Sequence, residues 1–157
     1  MTDAIIHLQA EAAIRRLVGL YCDAVNRRDA AAAGLLFASD AVIRIADGPE
    51  IAGRAAITEE MRQTFAAFTF LRQHSDLAVV DIAGESARAR LSVFEVTLKP
   101  GQEALSLLWG FYEDEFVRLA EGWRFGRRRY TLQLRSALSM AKVQAAQALD
   151  LGFTFTP

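Results

Sequence analysis

The second half of the chain consists of four extended segments separated by short turns, and this pattern constrains the fold more than any other feature. The segments cover about residues 70–83, 85–99, 104–119 and 123–135, and a glycine stands at each turn between them. Connections this short place consecutive strands side by side and antiparallel. The sequence therefore predicts a four-stranded antiparallel meander.

The first half of the chain is predicted to be mainly helical. Apolar side chains recur from Ile5 to Val25 at the spacing of one face of a long amphipathic helix. Asp29 precedes AAAAGLLF and is a suitable N-cap for a short second helix. Residues 54–68 carry apolar side chains at helical spacing, which predicts a third helix.

Two further patterns complete the predicted secondary structure. SDAVIRIA alternates as a strand does, and ADGPEIAG supplies a turn and a short returning strand, so together they predict a hairpin. Residues 136–150 are predicted to be helical, with a loose tail after them. This order is typical of the α+β class, here a cone-shaped, curved antiparallel (mixed) sheet with helices packed on its concave face. Such a sheet encloses a space that suits a ligand.

Composition favours one soluble domain. The chain has 157 residues, 52% of them hydrophobic, so we expect a single domain over 1–157, with a core of about 8–135 and a C-terminal helix and tail over 136–157. A net charge of −1 offers no cationic surface to nucleic acid or membrane. Two distant histidines lack metal-site spacing, and we expect no metal or other cofactor. One cysteine, no signal-peptide pattern and no long apolar run lead us to expect a cytoplasmic location.

His74 is the first candidate for a catalytic group. Strand alternation puts Arg72, His74 and Asp76 on one face and Gln73 on the other. We interpret the His74 face as the one that lines the cone, where His74 would act as a general base or donate a hydrogen bond to a bound carbonyl. The alternative is a half-buried histidine satisfied by backbone groups or by Asn26.

Tyr21 and Asn26 are further candidates, both on the first helix. Tyr21 is able to polarise a substrate oxygen with its phenol; alternatively, it belongs to the core and its hydroxyl reaches water. Asn26 is able to orient an imidazole through a hydrogen bond, but it lacks the negative charge that would raise the imidazole pKa.

Four residues of the last two strands are candidates for substrate binding: Gly110, Tyr112, Asp114 and Arg128. The first three share one face of a strand, where Gly110 leaves room that a side chain would fill. Arg128 shares a face with Tyr130 among apolar neighbours, and it needs an anion there. Asp114 on the neighbouring strand is the natural partner. The pair is either structural, which we favour, or it orients a ligand.

Five segments in this order resemble the SnoaL-like branch of the nuclear transport factor 2-like superfamily: YCDAVNRRD, LLFASDAV, IAGRAAI, RQHSDLAVVDIAGESARAR and GFYEDEFVRLAEGWRFGRR. The resemblance covers about residues 8–135. It implies an α+β cone with a deep apolar pocket and frequent dimers or trimers. In catalytic members of the branch, such as scytalone dehydratase, an aspartate near the end of the first helix pairs with a histidine that begins the meander. His74 matches the histidine, and Asn26 stands at the aspartate position.

The resemblance implies two functions from different classes. The first is a cofactor-independent, dehydratase-like lyase or isomerase acting on a small apolar molecule, polycyclic ones included. His74 would be its general base, Asn26 would orient the imidazole, and Tyr21 or Tyr112 would bind the oxygen where charge develops. The second is a non-catalytic module for small-molecule binding or dimerisation. Either is expected to form a homo-oligomer, a dimer rather than a trimer, without nucleic-acid or membrane partners.

Overall fold

The computed structural model describes residues 2–139 and 141, which form an α+β fold. In chain order its elements are α1 (Thr2–Arg27), α2 (Ala30–Leu35), β1 (Phe37–Ile45), β2 (Glu50–Ala52), α3 (Arg54–Ala66), β3 (Phe70–Ala83), β4 (Ser86–Leu98), β5 (Ala104–Leu119) and β6 (Gly122–Ser139). The three helices predicted for the first half of the chain, the hairpin and the antiparallel meander are confirmed. None of the helices within residues 2–139 is long and apolar enough to span a bilayer.

The junction between α1 and α2 follows from its local sequence. Asp29 is the N-cap of α2, and its Oδ1 accepts a hydrogen bond of 2.9 Å from the backbone N–H of Ala32. Arg27, in the last turn of α1, donates 2.9 Å and 3.2 Å hydrogen bonds to the side chains of Asp23 and Asp29. A basic side chain at the end of one helix and an acidic cap at the start of the next both suit the helix dipoles.

The six strands form one mixed sheet with the order β2-β1-β6-β5-β4-β3. The pair β1–β6 is parallel, and every other neighbouring pair is antiparallel. The meander β3 to β6 supplies four of these strands. Strand β1 pairs with β6, the last strand of the meander, and β2, the second strand of the hairpin, forms one edge of the sheet. Because β3 is the other edge, α1 can pack alongside it as well as against β6.

The prediction of a helix from residue 136 is wrong for its first four residues. Strand β6 continues to Ser139, and its end pairs with β5 through Leu107 and Ser136, and through Ala104 and Ser139. The hydrogen-bonded ladder with β5 outweighs the local helical pattern, since propensity yields to tertiary pairing. Apart from residue 141, the rest of the predicted helix and the tail lie outside the described residues.

The core fills the space between the helices and the concave side of the sheet, called here the inner face. Phe125 lies at its centre, fully buried, with ring centroids 5.1 Å from Phe37, 5.1 Å from Phe116 and 5.6 Å from Tyr21. Packed aromatic rings of this kind contribute beyond the area they bury. Helix α1 contributes the apolar face that includes Ile14. The helices and this core leave one end of the inner face open.

Candidate functional site

A cavity of about 160 Å³ lies at this open end, bounded by α1, α3 and the inner face of the sheet. One wall is apolar and includes Val25, Met61, Phe65, Phe68 and Leu71. The opposite wall is the inner face of β3 to β6, and it is polar, with Gln73, Glu95, Tyr112, Arg128 and Tyr130. An apolar pocket with a few convergent polar groups is the usual form of a small-molecule site.

Glu95 is the acidic group of this polar wall. It lies on β4, directly opposite Gln73 of β3 in the strand register. Gln73 Nε2 donates a 2.6 Å hydrogen bond to its Oε1. Burial raises the pKa of the Glu95 carboxyl above its ordinary value, and the Gln73 hydrogen bond only partly offsets this. A carboxyl with a raised pKa in an apolar cavity has the properties of a general acid or base.

Gln73 connects Glu95 to the tyrosines of the core. Its Nε2 also donates a 2.8 Å hydrogen bond to the hydroxyl of Tyr112. Both hydrogens of this amide nitrogen are therefore in use, one on the carboxylate and one on the phenol. The ring of Tyr112 contacts that of Tyr21 edge to face, with centroids 6.2 Å apart. Gln73 therefore holds Glu95 in place and orients the tyrosine beside it.

Tyr21 and Tyr112 line the cavity as predicted, but as neutral groups. Burial raises the pKa of Tyr21, although the positive charge of Arg128 opposes the shift. Burial likewise raises the pKa of Tyr112 well above its ordinary value, and the nearby Tyr21 and Glu95 add to it. Both phenols remain protonated at neutral pH, so they can serve as hydrogen-bond donors.

The predicted pair of Arg128 and Asp114 is confirmed, and it lies beneath the cavity. Arg128 Nε donates to Asp114 Oδ1 at 2.8 Å, and Nη2 donates to Oδ2 at 2.6 Å. The two residues are only 3% and 2% exposed. Burial acts to lower the pKa of Arg128, but the charge and hydrogen bonds of Asp114, with smaller contributions from Tyr21 and Tyr112, together outweigh burial and raise the pKa. The guanidinium therefore stays charged. Both carboxylate oxygens of Asp114 are used in this pair, and the residue does not line the cavity.

The guanidinium of Arg128 also lies among aromatic rings. Its Cζ is 3.9 Å from the centroid of Tyr112 and 4.2 Å from those of Tyr21 and Phe125. Its third nitrogen, Nη1, is buried and has no hydrogen-bond partner within the described part of the chain. Arg128 therefore has two roles: its Nε and Nη2 form the structural ion pair with Asp114, and its Nη1 is an unsatisfied donor. The residue also lines the cavity.

Gly110 is needed for the position of Tyr130. A Cβ at Gly110 would lie 2.3 Å from the carbonyl oxygen of Thr131 and 2.9 Å from Cε2 of Tyr130. The space that we expected Gly110 to leave is therefore occupied by the Tyr130 ring and the backbone of β6. Gly110 shapes the site without lining it.

The prediction that His74 faces the cavity is wrong. Its side chain is 73% exposed, and its Nε2 lies 3.2 Å from Oδ1 of the equally exposed Asp76. The faces of β3 are the reverse of those expected, because Leu71 and Gln73 point into the core and the residues between them point out. An imidazole on the outer face of the sheet cannot exchange a proton with a ligand in the cavity.

Asn26 is likewise not part of the cavity wall. Its Nδ2 donates to the carbonyl oxygen of Gln73 at 2.9 Å, and its Oδ1 accepts from the backbone N–H of Gln73 at 2.7 Å. The side-chain amide thus mimics a neighbouring strand and ties α1 to the edge strand β3. Asn26 does not orient His74, and the aspartate–histidine arrangement of the catalytic relatives is not formed here.

Glu95, Gln73 and Tyr130 were not identified from the sequence. A signal for β3 was available: Arg72, His74 and Asp76 alternate with Leu71, Gln73 and Leu77, and a half-buried strand normally turns its polar face outward. Once Gln73 of β3 is known to face inward, the register between β3 and β4 places Glu95 beside it on the same face. The resemblance to catalytic relatives pointed to the opposite face.

Comparison with known proteins agrees with this architecture. The family model of the SnoaL-like domain matches residues 7–129. The chain belongs to the SnoaL-like family. This family is part of the nuclear transport factor 2-like superfamily. A search of curated proteins gave no significant match to this SnoaL-like protein.

Solved structures share the fold of this SnoaL-like protein. One is a provisionally named scytalone dehydratase from Novosphingobium aromaticivorans DSM 12444, with 20% identity, a TM-score of 0.78, and coverage of 99% of this chain and 100% of that one. Another is hexachlorocyclohexane dehydrochlorinase LinA-type3 from Novosphingobium barchaimii LL02, with 13% identity, a TM-score of 0.81, and coverage of 92% and 99%. The Kfla4162 protein from Kribbella flavida has 22% identity, a TM-score of 0.77, and coverage of 83% and 95%. At these identities the likeness shows the fold.

Proposed function

We propose that this SnoaL-like protein is a cofactor-independent lyase or isomerase in which Glu95 is the general base. The observation that carries the proposal is a carboxyl of raised pKa on the polar wall of a cavity whose other wall is apolar. Glu95 would remove a proton from a carbon next to a carbonyl or a leaving group. The family and the dehydratase and dehydrochlorinase folds it resembles are consistent with such chemistry.

The neighbouring donors suit the charge that would develop on the substrate. Removing a proton from carbon places negative charge on an attached oxygen or leaving group, and fixed donors in a site of low dielectric stabilise it. Tyr130 and Arg128 each have a buried polar atom without a partner among the described residues, and both line the cavity. The cavity volume of about 160 Å³ suits one ring, since an engineered cavity of about 150 Å³ holds benzene. We therefore propose single-ring substrates rather than polycyclic ones.

The pH dependence of proton abstraction tests this proposal. A suitable probe is 5-nitrobenzisoxazole, in which loss of the C3 proton breaks the N–O bond and releases a coloured phenolate. We expect kcat/KM to rise with pH as Glu95 loses its proton, with a midpoint above the ordinary carboxyl range because the pKa is raised. The other ionisable groups that line the cavity are Tyr21, Arg44, Glu60, Tyr112, Arg128 and Tyr130.

The variant His74→Ala separates the two possible bases in the same assay. Because His74 is exposed on the outer face, we expect the variant to keep the wild-type rate and the wild-type midpoint. Loss of the reaction in His74→Ala would refute Glu95 as the base.

A second candidate is a binding pocket without turnover. It is favoured by one observation: Asn26 is held by the Gln73 backbone, so the dyad of the catalytic relatives is absent. If the probe binds in the cavity and is not converted at any pH, this second function replaces the first.

We also propose that the protein forms a homodimer through the outer face of the sheet. Phe94 and Trp109 stack there with centroids 4.8 Å apart, and Trp109, Leu134 and Leu138 are exposed. The same face carries positive and negative side chains in two ion pairs, Arg88–Glu115 and Arg90–Glu113. Charges of both signs suit a twofold contact, in which the patch meets a copy of itself. A second copy of the chain is therefore a fitting partner.

Sedimentation velocity tests the homodimer. We expect the wild type to sediment as a dimer and Trp109→Glu as a monomer, because a charge would be buried in an apolar contact. The control Leu35→Glu, an exposed leucine on α2, should remain dimeric. A monomeric wild type, or a dimeric Trp109→Glu, would contradict the proposal.

A further inference from the structure

The strand register brings the hydroxyl end of Tyr130 toward Glu95. On β5 the inner positions run Leu108, Gly110, Tyr112, and the cross-strand partner of Tyr112 is Tyr130. The Tyr130 ring lies beside Gly110, since a Cβ there would be 2.9 Å from Cε2. The next inner position, Leu108, is the partner of Glu95. Tyr130 therefore leans along β5 from its own partner toward the position that Glu95 occupies.

The two groups differ in their hydrogen bonding. Glu95 Oε1 accepts from Gln73 at 2.6 Å, and no other donor to the Glu95 carboxyl is found among the described residues. The Tyr130 hydroxyl is buried without any partner within the same part of the chain. A buried unsatisfied hydroxyl is costly, so an occupant that supplies its partner is favoured. One wall of the cavity thus presents both an acceptor and a donor. The charge of Glu95 adds to the rise in the pKa of Tyr130 that burial causes, so the two groups interact.

We propose that the cavity binds monocyclic phenols in their neutral form, with the ligand hydroxyl donating to the Glu95 carboxylate and accepting from the Tyr130 hydroxyl. A phenol hydroxyl is both a donor and an acceptor, so it satisfies both groups at once. The aromatic ring lies against the apolar wall of Val25, Met61 and Phe65. The volume of about 160 Å³ takes one ring. This inference rests on the proposed function for the ionised state of Glu95, and it names a ligand class for the same site.

The charge of Glu95 selects the protonation state of the ligand. A phenolate would place a second negative charge beside the carboxylate, and like charges repel strongly at low dielectric. Three cations surround the site: Arg44 and Arg128 line the cavity, and Arg135 acts on Tyr130 from the position of β6 that pairs with Leu108. Arg44 and Arg135 are exposed, so water screens their charge, and the charge of Arg128 is already paired with Asp114 through two hydrogen bonds. Besides Glu95, the ionisable groups that line the cavity are Tyr21, Arg44, Glu60, Tyr112, Arg128 and Tyr130. The bound phenol therefore keeps its proton at a pH at which the free phenol has lost it.

The test is equilibrium binding of 4-nitrophenol, whose neutral and ionised forms differ in visible colour and interconvert near neutral pH. With the wild type, we expect binding to bleach the phenolate absorption, and nitrobenzene, which lacks the hydroxyl, to bind about tenfold more weakly. Tyr130→Phe should weaken 4-nitrophenol binding by roughly three- to tenfold and leave nitrobenzene unchanged. Glu95→Gln should remove the preference for the neutral form.

Three outcomes would overturn the inference: equal affinities for nitrobenzene and 4-nitrophenol, binding of the coloured phenolate to the wild type, or a Tyr130→Phe variant that retains the full preference for 4-nitrophenol. The first two use only the wild type, so they stand even if a variant fails to fold. Binding is measured without turnover. If the protein converts 5-nitrobenzisoxazole through Glu95 but does not bind 4-nitrophenol more tightly than nitrobenzene, only the phenol site is refuted. If it binds 4-nitrophenol more tightly but does not convert 5-nitrobenzisoxazole, only the proposed reaction is refuted.

Discussion

Glu95→Gln should lower kcat/KM for 5-nitrobenzisoxazole by about 10²- to 10⁴-fold, the usual contribution of a positioned general base. The substitution keeps the size of the side chain and an oxygen that can accept the 2.6 Å hydrogen bond from Gln73 Nε2. It removes only the basic carboxylate. The neutral amide has no desolvated charge to carry, so the fold should be at least as stable as the wild type.

The matched control is Glu113→Gln on the neighbouring strand. Glu113 forms an exposed 3.3 Å ion pair with Arg90 on the outer face, so its loss removes the same charge from the protein without touching the cavity. We expect this control to keep the wild-type rate. If Glu95→Gln and Glu113→Gln lower kcat/KM equally, or neither lowers it, Glu95 is not the base. Thermal unfolding of both variants shows that any loss of rate does not come from unfolding.

Asp114→Asn should destabilise the protein by about 3–5 kcal/mol, the cost of leaving one member of a buried ion pair without its partner. The guanidinium of Arg128 would keep its charge, because arginine does not lose its proton in proteins. It would then face an amide that accepts at most one of the two hydrogen bonds now made at 2.8 Å and 2.6 Å. Urea unfolding followed by circular dichroism gives the free energy of unfolding.

Two further variants serve as controls for the loss of stability expected in Asp114→Asn. Glu115→Gln breaks the exposed pair with Arg88 on the outer face and should cost less than about 1 kcal/mol. The double variant Asp114→Leu with Arg128→Met removes both buried charges and should recover much of the loss, although the cavity would lose Arg128. An Asp114→Asn protein within about 1 kcal/mol of the wild type would show that the ion pair does not hold this part of the core.

The site depends on a division of the inner face into two parts. Deep in the core, Arg128 and Asp114 neutralise each other among aromatic rings and join β5 to β6 at directly opposite positions. Toward the open end, Gln73 orders Glu95 and Tyr112, and Gly110 allows Tyr130 to lean over β5. The rigid ion pair in the core therefore supports the strands that hold Glu95 and Tyr130 in the cavity, as preorganised sites require.

Much of the fold could be predicted because its signals are local. Turns at Gly84, Gly101 and Gly122 all have positive φ angles of 61°, 73° and 110°, which glycine adopts most readily, and they fix the meander. The Arg128–Asp114 pair was also predictable, since a charged side chain among apolar neighbours needs a counter-charge on an adjacent strand. The order of the elements also predicted a curved sheet that encloses a space for a ligand, and the family resemblance implied the same; the structure has both.

The candidate base could not be assigned in this way. Alternation along β3 separates His74 from Gln73, but it does not say which of the two faces the core. The extra residues at the bulges also reverse the alternation, once between Leu77 and Val79 and twice where β5 pairs with β6, at Trp109/Gly110 and at Glu115/Phe116. A one-residue error at any of these places moves every following side chain to the other face.

The sequence by itself determined the order of helices and strands, the antiparallel neighbours and the apolar stripe of α1, because periodicity and turn chemistry act over a few residues. The tertiary structure alone decided which face of β3 is buried, and hence that Glu95 rather than His74 meets the cavity. Helix α1 binds the edge of β3 through Asn26 and the Gln73 backbone, which turns Gln73 and its neighbour Glu95 inward. The local pattern favours turning the charged face of β3 outward but does not fix it, because Gln73 and Ser75 make the other face polar as well. Contacts between residues far apart in the chain settle that choice.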